Sequence, residues 1–363
     1  MPPPPSGPAQ LFVSTTGSDS GSCTAAAPCR SFDRAYRVAK PGQIVEVAGG
    51  SYGSQSIGYD ASKTSADDVV FRPAAGATVT VGELAPGGAK HVTFVDMDAE
   101  DLFVVPQNGS SGGQRPEDVT FWNVDAQFFF VRAGKDVTIA GGSIGGIDTA
   151  ISSTIGTYPG LPVSENVLVD GVGFHDVTRT ANPSGHVECL FVQESNGTTI
   201  RRSRFTRCDV MDVFVNEILG GSITNLTIEN NWFDRPTGGG AYALYLYPRG
   251  ANGAIRYNSF RGGVIFDGSF SGLGWTATGN AGWASTCGTG VVHTRNVWEN
   301  RTCGSTDLQA VPGFVDASGF DLHLAPGAAA LGRGSATDHP AVDIDGEPRP
   351  RNGSTPDAGA DEA

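Results

Sequence analysis

The chain has 363 residues and a formal charge of −14, with 24 Lys and Arg against 38 Asp and Glu. That balance argues against a nucleic-acid binder and against docking on an anionic membrane surface, though it leaves room for a local basic groove. Fifty-one glycines favour repeated tight corners over long helices, and the length suits a solenoid that grows by adding repeats better than one simple core.

In chain order, residues 1–10 read as a Pro-rich linker. Met1 ahead of four prolines reads as a start placed on that linker after a leader was removed. Residues 11–42 read as a strand from Leu11 followed by a capping helix. Phe32, Ala35, Tyr36 and Ala39 have the spacing of one helical face, and Pro41-Gly42 stops it. Such a helix would cover the open end of a first coil. Residues 43–310 read as stacked coils, beginning with Val69-Val-Phe, Val92-Thr-Phe, Val119-Thr-Phe and Val137-Thr-Ile. From Val311 the pattern breaks, and residues 311–363 read as a turn-rich tail packed on the last coils.

The repeat is clearest between Asn166 and Phe260. An aliphatic residue stands five places before an aromatic in Val169/Phe174, Ile200/Phe205, Ile228/Phe233 and Ile255/Phe260. The first members (169, 200, 228, 255) recur at intervals of 31, 28 and 27 residues. With Gly, Asn, Asp and Ser between short β-rich runs, each copy reads as one coil. The residue after each anchor points outward and alternates in sign: Asp170, Arg201, Glu229 and Arg256. This predicts a salt-bridge ladder on a solvated face. Asn231, Asn258 and Asn296, three places past an anchor or in a later coil, predict stacked amides at a corner.

Six cysteines and no Cys-x-x-Cys or Cys/His metal spacing point to disulfides in a secreted protein, against the alternative of buried free thiols. Cys23–Cys29 and Cys287–Cys303 are close pairs. Cys189–Cys208 is less than one coil apart, so its pairing depends on whether that step brings the Cα atoms into bonding range. No apolar run is long enough to span a membrane.

The Gly17-Ser-Asp start, the Ala26-Ala-Pro-Cys-Arg-Ser-Phe32 segment, Pro41-Gly-Gln-Ile-Val-Glu-Val47, the Val-Thr-Ile-like coils and the Asp343-Ile-Asp-Gly-Glu-Pro-Arg349 tail together resemble right-handed parallel β-helix proteins of the pectate-lyase-like superfamily. The resemblance spans nearly the whole chain. It implies an all-β solenoid, but it does not select an activity, because the superfamily holds lyases, hydrolases, epimerases and adhesins.

A second strand in each coil carries the candidate site. Cys189-Leu-Phe-Val-Gln193, Asp212-Val-Phe-Val-Asn216, Ala243-Leu-Tyr-Leu-Tyr247 and Gly263-Val-Ile-Phe-Asp267 align without gaps. Alternation turns Leu190/Val192, Val213/Val215, Leu244/Leu246 and Val264/Phe266 inward. It turns Cys189/Asp212, Phe191/Phe214/Tyr245/Ile265 and Gln193/Asn216/Tyr247/Asp267 outward. Stacked aromatics beside amides and carboxylates suit sugar rings, whose C–H faces stack and whose hydroxyls need donors and acceptors. Phe191, Gln193, Phe214, Asn216, Glu217, Tyr245, Tyr247 and Asp267 are therefore the expected substrate-binding residues.

His186, Glu188, Asp209, Asp212, Arg207 and Arg249 are the expected catalytic group, with Glu194 nearby. The leading expectation is a polysaccharide lyase that cleaves a uronate-containing glycan by β-elimination, which needs a base and a cation at the substrate carboxylate. The four lysines (Lys40, Lys63, Lys90, Lys135) lie far from these coils, so the base falls to His186 or to an arginine such as Arg207 or Arg249. Calcium could supply the cation at Asp209, Asp212, Glu217 and Asp267, although no ligand loop of recognised spacing is present. The alternatives are an inverting glycoside hydrolase with paired carboxylates and a non-catalytic glycan-binding surface scaffold. The expected partner is a polysaccharide bound by a monomer outside the cell.

Overall fold

Strands that recur at one repeat length and pair in parallel stack like side chains on like. The computed structural model describes residues 5–180, 183–234, 242–351, 353 and 355–363, and it is all-β with long parallel sheets. Residues 1–4, part of the Pro-rich start, lie outside the described residues. The chain divides into two units, residues 1–144 with 156–168 and residues 145–155 with 169–363.

In the first unit one sheet runs through Leu11–Val13, Ile44–Val47, Val69–Pro73, Lys90–Val95, Glu117–Trp122 and Lys135–Ala140, each strand parallel to the next. A second sheet pairs Gly50–Tyr52, Val79–Ala85, Asp98–Val104 and Phe128–Arg132. Register puts Phe71, Phe94 and Phe121 in one buried file, with neighbouring ring centroids 5.4 Å apart. The helix Phe32–Val38 is capped by the Ser31 hydroxyl, which accepts from the Arg34 N–H at 3.1 Å. Its Phe32 continues the file, 5.0 Å from Phe71. Gly7 to Gln10, read as linker, touches the first sheet: the Ile44 N–H donates to Gln10 Oε1 at 2.8 Å, and Ala9 packs against Ile44 and Val70.

In the second unit Thr199–Arg201, Thr227–Glu229, Ala254–Arg256, Thr276–Thr278 and Val292–Thr294 pair in parallel, with Ile200, Ile228 and Ile255 opposite one another. Phe174, Phe205, Phe233 and Phe260 stack nearly flat, at 4.6, 5.0 and 4.8 Å. The asparagine ladder has one more rung than the sequence suggested. Asn231, Asn258, Asn280 and Asn296 are fully buried, and each Nδ2 donates to the next Oδ1 at 3.0, 3.1 and 2.9 Å. Each of those Oδ1 atoms also accepts a backbone N–H from the repeat before it. The charged ladder forms as two clusters: Asp170 with Arg201 and Arg202, and Glu229 with Arg256.

All three expected disulfides are present, Cys23–Cys29, Cys189–Cys208 and Cys287–Cys303, and Cys189 and Cys208 have their Cα atoms 5.7 Å apart. Such bonds persist in oxidising compartments. Among the described residues no helix is long and apolar enough to cross a membrane. Within the second unit Leu322, Ile344 and Ala360 are buried with Trp232, and Leu324, Ala330 and Ala358 with Val297.

Candidate functional site

From Leu190, Val213, Leu244 and Val264 onward the aligned segments pair in the register read from the sequence, while at their start Gly263 pairs with Tyr242 rather than Ala243. Leu190 faces Val213, Phe191 faces Phe214, Phe214 faces Tyr245, Asn216 faces Tyr247, and Tyr245 faces Ile265. The inward residues Leu190, Val192, Val213, Val215, Leu244, Leu246, Val264 and Phe266 are buried. This anchoring fixes the outward rings. Phe191 and Phe214 stack at 4.9 Å, and Phe214 meets Tyr245 edge-on at 5.4 Å.

Beside these rings is a recess of about 380 Å³ lined by His186, Met211, Phe214, Asn216, Tyr245, Tyr247 and Asp267. Tyr247 is 41% exposed, so the recess opens to solvent on that side. Two paired groups, one an ion pair and one a hydrogen bond, reach it. In the first, His186 Nδ1 is ion-paired with Glu188 Oε1. The His186 side chain is 57% exposed and its ring centroid is 5.5 Å from that of Phe214, while Glu188 is buried. Glu188 is fixed by Ser152, whose hydroxyl donates to Oε2 and accepts from the Glu188 N–H, each at 2.9 Å. The carboxylate hydrogen bond raises the His186 pKa above 6.5, against an opposing effect of burial. In the second pair the Tyr245 hydroxyl donates to Asp267. Burial, reinforced by that carboxylate, pushes the phenol up to about 12. Asn216 is half-buried and its Oδ1 has no partner.

Several expected site residues are elsewhere. Asp212 is not on the open flank: it is 0% exposed and neither carboxylate oxygen has a hydrogen-bond partner. Burial, then repulsion from Asp234, drives its pKa well above 3.8. Its column mate Cys189 is buried in a disulfide. Gln193 is also buried, with its N–H bonded to the Ile155 carbonyl at 2.7 Å.

Glu217 serves the backbone rather than a ligand, accepting N–H bonds from Ile223 at 2.9 Å, Arg249 at 2.8 Å and Gly250 at 3.0 Å. The approach is close enough that a Cβ on Gly250 would come within 1.8 Å of the Ile223 carbonyl oxygen, so only glycine fits. Glu194 similarly accepts the Ile218 N–H. Arg207 is held by Asp176, at 2.6 Å from Nη2, and lowers that carboxyl to about 2. Asp209 accepts the Arg179 N–H at 2.9 Å. Arg249 has an exposed side chain and does not line the recess.

The four expected calcium ligands are therefore not gathered. Glu217 is filled by backbone donors, Asp212 is buried with its pKa raised, Asp209 is bonded to Arg179, and Asp267 holds Tyr245. This donor set does not fit calcium. Two other groups, Asp68/His91/Asp118 in the first unit and His323/Asp345/Asp361 in the second, bring ligand atoms within 4.8 Å of one another. Neither lies in the recess. In each, histidine nitrogen is already bonded to carboxylate: His91 to Asp118, and His323 to Asp321 and Asp345.

Sequence reasoning missed Met211, Ser152 and the extra ladder residue Asn280. Asn280 stood three places past Ala277, an anchor position without the usual branched side chain, which hid the rung.

No family and no curated protein matches the chain. Among solved structures it is similar to a rhamnogalacturonan lyase at 10% identity, over 80% of this chain and 87% of that one, with a TM-score of 0.31. It is also similar to the catalytic domain of a GH87 alpha-1,3-glucanase in complex with tetrasaccharides, at 10% identity over 86% of this chain and 68% of that one, with a TM-score of 0.22. Overlap this low carries no weight on activity.

Proposed function

We propose that the recess binds a glycan and that this is a secreted, carbohydrate-active protein acting as a monomer. Each unit reads best as a stretch of right-handed parallel β-helix of the pectate-lyase-like kind, supported by parallel pairing of one repeat with the next. The activity we favour is polysaccharide lyase chemistry on a uronate-containing chain. The observation that carries it is the opening of two proton-handling pairs, His186–Glu188 and Tyr245–Asp267, onto one aromatic-walled recess.

In this reading Glu188 holds His186 Nδ1–H, leaving Nε2 as the base that removes the proton α to the uronate carboxyl group. The electron pair from that C–H bond forms the ring double bond as the C–O bond to the next sugar breaks. Tyr245 gives its proton to the departing oxygen. A phenol near 12 is a poor base at neutral pH but a usable acid toward a more basic alkoxide. In the same reading the Asn216 amide, which lines the recess, hydrogen-bonds the substrate's carboxyl group. Among the described residues that line the recess none is Lys or Arg, so free and esterified uronates are both candidates for it.

Hydrolysis by two carboxylates is less well supported. Among the described residues that line the recess Asp267 is the one carboxylate, and Tyr245 occupies it. The test is to incubate the protein with pectate, methyl-esterified pectin, alginate, glycosaminoglycans and neutral glucans, following unsaturated product by ultraviolet absorbance and new reducing ends by colour. Both signals support elimination. Reducing ends alone would move the reading to hydrolysis, and binding without either signal would make the protein a glycan-binding scaffold.

A further inference from the structure

The outer face of the same sheet carries aromatic side chains beyond the recess, and a register irregularity decides where they stand. Tyr242 pairs with Gly263 whereas Leu244 pairs with Val264, so the strand Tyr242–Tyr247 carries one extra residue there. Such a bulge re-aims side chains. Ala243 is buried, and the Tyr242 ring meets the Tyr245 ring edge-on at 5.9 Å, on the face that carries the recess.

Gly263 in turn pairs with Trp283. Trp283 follows buried Gly282, precedes buried Ala284 and is 45% exposed, so its indole also stands on the outer face. Tyr242, Gly263 and Trp283 make one file across three strands, about 9.5 Å from end to end. The middle position has no side chain to fill it. A single exposed aromatic needs no explanation, but this one continues a row of rings that runs through the recess: Phe191, Phe214, Tyr245, Tyr242, then Trp283.

We infer that Trp283 is an outlying subsite for a glycan chain that overruns the recess, so that the protein grips an internal stretch of polymer rather than its end. This rests on the glycan reading of the recess and adds a requirement on chain length. A sugar whose reacting bond lies at Tyr245 projects its next rings along the sheet, where the indole offers a flat apolar face to the C–H surface of one of them. Its contribution to affinity is that of one stacking contact, about three- to tenfold.

The experiment is calorimetric titration with size ladders, dimer to octamer, of oligogalacturonate, both free and methyl-esterified, and of neutral gluco-oligosaccharide, on the full chain. Wild-type protein, Trp283→Ala and Trp283→Tyr are compared, with His186→Ala as a separate control on the recess. Expected is a rise in affinity of about three- to tenfold once the oligomer is long enough to reach the indole. Trp283→Ala should lose that rise, keep wild-type affinity for the shortest binder, and have the rise partly restored in Trp283→Tyr. An unchanged rise in Trp283→Ala, or an equal loss for short and long oligomers, overturns the subsite while leaving the recess reading intact. Failure of wild-type protein to bind any member of either ladder overturns both.

Discussion

Glu188 lies buried behind His186 and is bonded to its Nδ1, while its own second oxygen and N–H are both taken by the Ser152 hydroxyl. The carboxylate therefore has little freedom to turn away, and it favours the protonated imidazole. A base must be neutral to act. Activity should accordingly be low below the raised His186 pKa and climb as pH passes above it. Glu188→Gln removes the charge that raises the value, so the rising limb should move to lower pH, and Ser152→Ala should move it in the same direction by less. His186→Ala should lower kcat by about 10²–10⁴-fold. The imidazole proton resonances, followed by NMR across pH without substrate, give the same shift independently of activity. An unmoved titration in Glu188→Gln would contradict the pairing.

The alkaline limb belongs to Tyr245. An acid acts while it holds its proton, so activity should fall as pH rises toward about 12, where the phenol ionises. Burial is the larger cause of that high value and the Asp267 carboxylate the next. Asp267→Asn removes the neighbouring anion, makes ionisation easier, and should move the falling limb to lower pH. Tyr245→Phe should lower kcat by about 10²-fold while leaving oligosaccharide affinity within a few-fold of wild type, because the ring remains. Ultraviolet titration of tyrosinate absorbance, comparing wild type with Asp267→Asn, checks the direction of the shift.

The register of the second-strand segments was legible because four gapless copies share one parity, and parity alone tells inward from outward. Phe214, Tyr245 and Tyr247 reach the recess for that reason. Parity says nothing about what covers an outward position. Asp212 and Gln193 have outward parity and yet are buried. Local spacing also says nothing about backbone donors arriving from another repeat. Glu217 looked like a ligand for substrate or metal, but its oxygens are taken by N–H groups 32 and 33 residues further on. The His186–Glu188 pair was the exception: two residues apart and flanking a strand start, they had few other partners within reach.

The asparagine ladder makes a prediction about stability rather than chemistry. Asn258 is fully buried, accepts from both the N–H and the side chain of Asn231, and donates to Asn280. Asn258→Ala would strand the Asn231 backbone N–H in a dry interior and leave the Asn280 oxygen with the Asn258 backbone N–H alone. Each orphaned group costs about 1–3 kcal/mol. The loss should appear as a lower urea midpoint with unchanged slope. Asn258→Asp should also destabilise, because a carboxylate there supplies acceptors where Nδ2 donates to the Ile228 carbonyl and to Asn280. If Asn258→Ala unfolds at the wild-type midpoint, the ladder is not a source of register or stability.

Asp212 sets the last expectation. Its pKa is raised in the folded state by burial and by Asp234, so over the interval above 3.8 the folded chain retains a proton that the unfolded chain has released. The unfolded state then binds fewer protons, and stability falls as pH increases through that interval. This is the reverse of the usual behaviour of a paired carboxylate. Asp212→Asn keeps the shape and removes the ionisation. It should match wild type near the acid end of the interval and become progressively more stable than wild type as pH rises. Urea midpoints at about pH 4 and about pH 8 give the comparison. The same substitution should leave glycan affinity unchanged, since Asp212 does not line the recess. A gap that is constant with pH would mean that Asp212 is ionised in the folded protein and that its carboxylate finds a compensating partner.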